Sequence, residues 1–145
     1  MSQPQTFTKA ERLCSKKHIE ALFFGKHSVD TDHAGGSRSL SAYPLRAVYA
    51  PADNLKENAA QVQILVSVSK RRFRHAVDRN RTKRLIREAY RLNKRLLYDH
   101  LNAGKHLHVA FIWIGNERCD YATLETRMKN LLQRIAENWR IAENL

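Results

Sequence analysis

Between Lys70 and Arg95 the sequence holds twelve Lys or Arg side chains against two carboxylates, Asp78 and Glu88. The remainder of the chain carries fourteen basic and twelve acidic side chains, so nearly all of the net charge of +12 sits in one short segment. A cationic face this concentrated is an electrostatic footprint for phosphates. An arginine fork takes phosphate oxygens two at a time, and each cation that docks on a polyanion releases a condensed counterion. A pI near 10.2 points to the same partners, nucleic acid or an acidic membrane.

A helix starting at Asp78 and turning about 100° per residue sorts these residues onto two sides. Leu85, Ile86, Ala89, Tyr90, Leu92, Leu96 and Leu97 fall within an arc of about 160°, a core face. Arg81, Lys83, Arg84, Arg87, Arg91, Lys94 and Arg95 fall opposite, with Asn80 among them. A helix face that is merely solvated normally mixes signs. Here only Glu88 and Asp78 interrupt the cations, and Asp78 stands where a carboxylate suits the helix dipole. A helix lying on a membrane would spend its apolar side on lipid, whereas the other elements need that side for a core.

Catalysis by side chains has less support. The sequence shows no paired carboxylates, no His/Cys set at zinc spacing and no nucleophile elbow. His106 and His108 share one strand face, expected to be partly exposed, and two imidazoles alone make a poor metal site. Cys14 and Cys119 read as two buried thiols in a reducing, cytoplasmic setting. The longest apolar run, Val109 to Ile114, is far too short to cross a bilayer, and the polar start from Met1 to Thr6 has no secretory core.

The cations need a scaffold, and 145 residues at 43% hydrophobic suffice for one α/β domain spanning 1–145. Residues 1–6 are expected to be a flexible N-terminus and 26–41 a flexible polar loop. Ser15 caps a first helix with Ile19, Leu22 and Phe23 on its inner side, stopped by Gly25. Leu45 to Tyr49 forms a strand, followed by a turn at Pro51 to Asn54. Val62, Ile64, Val66 and Val68 alternate with Gln63, Leu65, Ser67 and Ser69, a half-buried strand. The basic helix runs from Asp78 to about Leu101, His106 to Ile114 is a strand, and Tyr121 to about Ile141 a last helix. Leu124, Met128, Leu131, Leu132, Ile135 and Trp139 form its apolar stripe. Trp113 and Trp139 are assigned to the core.

Val66-Ser67-Val68-Ser69-Lys70-Arg71, followed by Ala76-Val77-Asp78-Arg79-Asn80-Arg81-Thr82-Lys83-Arg84-Leu85-Ile86-Arg87-Glu88-Ala89-Tyr90-Arg91, closely resembles the signature of the bacterial ribonuclease P protein component. The core of that signature, Arg-Asn-Arg-x-Lys-Arg-Leu-x-Arg-Glu-x-aromatic, is met at every fixed position from Arg79 to Tyr90. The likeness extends from Phe7 to the C-terminus and is weakest between Lys26 and Asn58. It implies an α-β-β-β-α-β-α sandwich with a left-handed βαβ crossover, of the kind found in the second domain of a small-subunit ribosomal protein. Periodicity could not show that handedness, which departs from the usual rule.

The resemblance also implies a function. The family's catalytic RNA uses Mg²⁺ to remove the 5′ leader of precursor tRNA, and the protein, expected at 1:1 with that RNA, binds both. By position, Arg79, Asn80, Arg81, Lys83, Arg84, Arg87 and Arg91 match the RNA-contacting helix, and Lys70 and Arg71 the basic loop entering it. Phe23 matches an aromatic of the leader cleft, where a ring stacks on a base without reading sequence. Ile19 stands at a second cleft position that is usually Phe, and Tyr43 and Tyr49 are both candidates for a third. Leu65 replaces a strand glycine common in the family. A metal site on the protein is not specified by the sequence. Two other functions remain open at this level: a general or ribosome-associated RNA-binding protein, and a metal-dependent nuclease with its own site.

Overall fold

The computed structural model describes residues 7–24, 37–52, 60–101 and 106–143. The chain runs through a 3-10 turn at Lys9–Glu11, helix α1 (Lys16–Phe24), strands β1 (Arg38–Ala42), β2 (Leu45–Pro51) and β3 (Val62–Ser67), helices α2 (Ala76–Asn93) and α3 (Arg95–Tyr98), strand β4 (Leu107–Trp113) and helix α4 (Tyr121–Glu143). The expectations for residues 1–6, for Gly25, for the loop up to residue 36 and for the turn at 53–54 lie outside the described residues, as does the side chain of Trp139.

The four strands form one sheet in the order β1-β2-β4-β3. β1 and β2 form an antiparallel hairpin, β2 pairs antiparallel with β4, and β3 lies parallel to β4. A parallel pair needs a long crossover, and α2 with α3 supplies it. Strand alternation decides what each face holds. Leu45, Ala47 and Tyr49 of β2, Val62, Ile64 and Val66 of β3, and Val109, Phe111 and Trp113 of β4 pack with Ile86, Ala89 and Tyr90 of α2 and with Leu124, Met128, Leu131 and Ile135 of α4. On the reverse face, Val48 and Ala110 pack beneath Leu13 and Leu22, with Ile19, Phe23, Leu65 and Ile112 at the margin. Because β4 is covered on both sides, it reads as an apolar run instead of an alternating one.

Three expectations change. The end of the supposed loop, from Arg38 onward, is β1: Ser39 pairs with Val48 and Ser41 with Arg46, and as an edge strand it carries the polar residues that hid it. The basic helix does not run unbroken to Leu101 but ends at Asn93 and restarts at Arg95. There the Asn93 amide donates to the Ala89 carbonyl, at 2.8 Å, a side-chain-to-backbone bond at the last residue of α2. The cysteines are not both buried: Cys14 is exposed and Cys119 intermediate.

Candidate nucleic-acid interface

The basic segment leaves β3 through a turn that exposes Lys70 and Arg71, while Phe73 is buried and anchors the loop to Trp113. Arg72 donates to the Asn116 side chain at 3.1 Å. Arg79 does not simply face solvent. Its guanidinium donates to the carbonyls of Phe73 and Arg74, at 3.0 and 2.9 Å, and so ties the first turn of α2 to the loop. Asp78 is paired with Arg118 from the β4–α4 connection.

Further along α2, the i, i+3, i+4 spacing brings Asn80, Lys83, Arg84, Arg87, Glu88 and Arg91 onto one side. With Phe7 they line a groove of about 490 Å³. Arg81 lies on another flank, near Cys119, whose thiol is pushed up by burial and by Asp120 against the opposing pull of Arg81. Within the groove Arg91 is already bound to Glu88: its Nε donates to one carboxylate oxygen at 3.1 Å and its terminal nitrogen to the other. That contact holds the Glu88 carboxyl below its usual range. Arg87 differs. Burial, and then the neighbouring charge of Arg12, lower its pKa.

Lys94 is a correction. Helical phase places it among the outward cations, but it is 2% exposed. Its ammonium donates to both oxygens of Glu11, at 3.1 and 2.9 Å, and Tyr98 donates to the same carboxylate at 3.0 Å. Glu11 also accepts from the backbone and hydroxyl of Thr8, which closes the N-terminal turn onto the α2–α3 junction. This clamp places Phe7 edge-on to Tyr90, with centroids 6.0 Å apart, and Arg12 5.8 Å above the Phe7 ring.

The proposed leader residues divide between the two sheet faces. Ile19 and Phe23 come together on the α1 side, beside Leu65 and Ile112. Arg46 is exposed on β2 and donates to Ser39 at 2.8 Å; alternation along the strand puts it on that same face. Tyr49 lies on the opposite face. It is 3% exposed, and its hydroxyl accepts from the Asn138 side chain at 3.1 Å, so it cannot line a cleft with Phe23. Tyr43 occupies the β1–β2 turn and is 64% exposed. Under α1, His108 is buried, contrary to the expected partly exposed strand face; its ring meets Gln63 at 3.0 Å and lies tilted against the His18 ring, with centroids 5.1 Å apart. Burial, with the His18 and His106 rings adding to it, lowers its pKa to about 4.

Sequence reasoning missed Phe7, Arg12, Arg46 and Arg118. Thr8-x-x-Glu11 is a capping-box pattern that could have flagged an ordered N-terminal turn, and alternation along β2 could have flagged Arg46. The pairing of Arg118 with Asp78 spans 40 residues and had no local signal.

The family model described as ribonuclease P matches residues 7–136. A ribonuclease P protein component from Porphyromonas gingivalis is 42% identical over 141 residues, covering 95% of this chain and 93% of the relative. One from Chlorobium phaeobacteroides is 35% identical over 141 residues, covering 93% and 88%. Among solved structures, the RNase P protein of Staphylococcus aureus superposes with a TM-score of 0.62 at 16% identity, covering 88% of this chain and 96% of that one. The RNase P protein of Thermotoga maritima does so at 0.61 and 20%, covering 85% and 98%. At these identities the structural likeness speaks for the fold.

Proposed function

The chain belongs to the ribonuclease P protein family, and from that membership we propose that it binds the catalytic RNA of ribonuclease P and assists Mg²⁺-dependent removal of the 5′ leader from precursor tRNA. The observation that carries this reading is the α2 groove, in which Lys83, Arg84 and Arg87 converge on one side of a stiff helix. Such a surface neutralises phosphates and fixes RNA in register without reading bases. The helix is fixed from behind by its buried Ile86, Ala89 and Tyr90, so the cations are positioned before RNA arrives.

The leader would follow the second surface, over the sheet face beside Ile19, Phe23 and Arg46. Phe23 offers a stacking ring and Arg46 a phosphate contact, whereas Ile19 offers packing alone. Precursor would then be bound more tightly than mature tRNA. Among the described residues no three His, Cys, Asp or Glu side chains are grouped as metal ligands, and in this reading the Mg²⁺ ions are held by RNA. The protein supplies charge and position, at 1:1 with its RNA and in the cytoplasm.

Single-turnover cleavage of a precursor tRNA at limiting Mg²⁺ tests this, with a bacterial ribonuclease P RNA alone, this protein alone, and the two mixed. Cleavage at the mature 5′ end in the mixture only is the expected result. Cutting by the protein alone would establish a nuclease instead. A mixture no faster than RNA alone, repeated with the cognate RNA, would leave a general RNA binder.

A further inference from the structure

The carboxylates around α2 are already engaged. Glu88 holds Arg91, Asp78 holds Arg118 and Glu11 holds Lys94. Glu125 accepts from Asn93 and Tyr121, and Asp120 accepts from the Thr123 N–H at the start of α4. Among the described residues, Arg12 and Arg87 form no ion pair with any carboxylate.

The fold nevertheless holds these two cations near each other from distant parts of the chain. Arg12 is fixed by its neighbours: the Leu13 N–H donates to the Ile64 carbonyl at 2.8 Å, and Glu11 is locked to Lys94. Its guanidinium stands over Phe7, and Phe7 lines the same groove as Arg87. Arg87 is partly buried and feels the charge of Arg12 as repulsion. Like charges brought together without an acid oppose folding, and an anion between them reverses the sign of that cost.

We infer that Arg12 and Arg87 together bind a single phosphodiester of the RNA, with Phe7 as the apolar wall against which the adjoining nucleotide rests. The inference rests on the reading of α2 as the RNA-binding helix and adds to it a contact from the N-terminal turn. Two guanidinium groups on one phosphate give a geometry that a lone surface arginine cannot, because each fork fills different oxygens of the same group. Arg12 is exposed, so its removal takes nothing from the core.

A double-mutant cycle on binding to ribonuclease P RNA, measured across a salt series, tests this, with thermal melts to show that each variant is folded. Arg12→Ala and Arg87→Ala are each expected to weaken binding roughly tenfold and to lower the salt slope by about one. The variant lacking both is expected to lose far less than the product of the two, since either single change already disrupts the shared phosphate. Unchanged binding by Arg12→Ala, while Arg84→Ala still weakens it, would overturn the inference and leave the functional reading standing. Multiplying losses would overturn the shared phosphate. If Arg84→Ala also had no effect, the RNA-binding role of α2 would itself fall.

Discussion

Lys94 and Arg87 sit seven residues apart on the same basic segment, and both fall on its cationic side by helical phase. One is buried against Glu11 and joins the N-terminal turn to the α2–α3 junction; the other lines the open α2 groove beside a second arginine. Charge type and periodicity are the same for both. The difference is an acid that reaches Lys94 from 83 residues away. A cation with a buried partner becomes structure, and a cation held near another cation is the one we propose as an anion site.

The largest effect is expected from breaking the structural member of this pair. Glu11→Ala removes the carboxylate that faces the buried Lys94 ammonium, and denaturant unfolding should register a loss of about 3–5 kcal/mol. The double change Glu11→Leu with Lys94→Met removes both charges and is expected to recover most of that stability. A loss below about 1 kcal/mol in Glu11→Ala would mean that the clamp is no stronger than a surface pair.

His108 is a third case, a buried base with no carboxylate among its described contacts. It therefore stays neutral in the folded state, with its pKa lowered to about 4 by burial and by His18 and His106. Unfolding returns it to about 6.5, so between these values the unfolded chain binds the extra proton. Stability from this group is fully present above pH 6.5 and is lost as pH falls towards 4, by up to about 3 kcal/mol. Unfolding free energies measured from pH 7.5 to 4.5 should show that slope, and His108→Gln should flatten it. An equal slope in the variant would assign the acid sensitivity to other groups.

The smallest effects separate the groove cations from one another. Arg84→Ala is expected to reduce the salt slope of RNA binding by about one. Glu88→Gln, by removing the carboxylate charge beside Arg91, should act in the opposite direction, with tighter binding and a steeper slope. Weaker binding by Glu88→Gln would show that the pair orients Arg91 for RNA instead of neutralising it.

Much of this was legible along the chain. The strand at Val62 to Ser67, the basic helix and the last helix each follow a period of 2 or 3.6 residues, and burial of one face enforces that period. The signature from Arg79 to Tyr90 named the family, which the comparisons bear out. β1 was hidden because an edge strand need bury little, and only Leu40 and Ala42 pack against the core. The faces of the sheet were also out of reach: Phe23 and Tyr49 both read as cleft aromatics, but residue 49 shares its phase with Leu45 and Ala47, on the side that α4 covers.

Residue order alone shows where the charge lies, roughly where helices α1, α2 and α4 and strands β2, β3 and β4 run, and what class of partner such a surface takes. These follow from local spacing and from Coulomb attraction, which act through neighbouring residues or through the summed field. The tertiary structure alone decided which cations remain available. Only folding brings Glu11 to Lys94, Asp78 to Arg118 and Arg12 to the groove of Arg87, because a pairing across 40 or 83 residues leaves no trace in local periodicity.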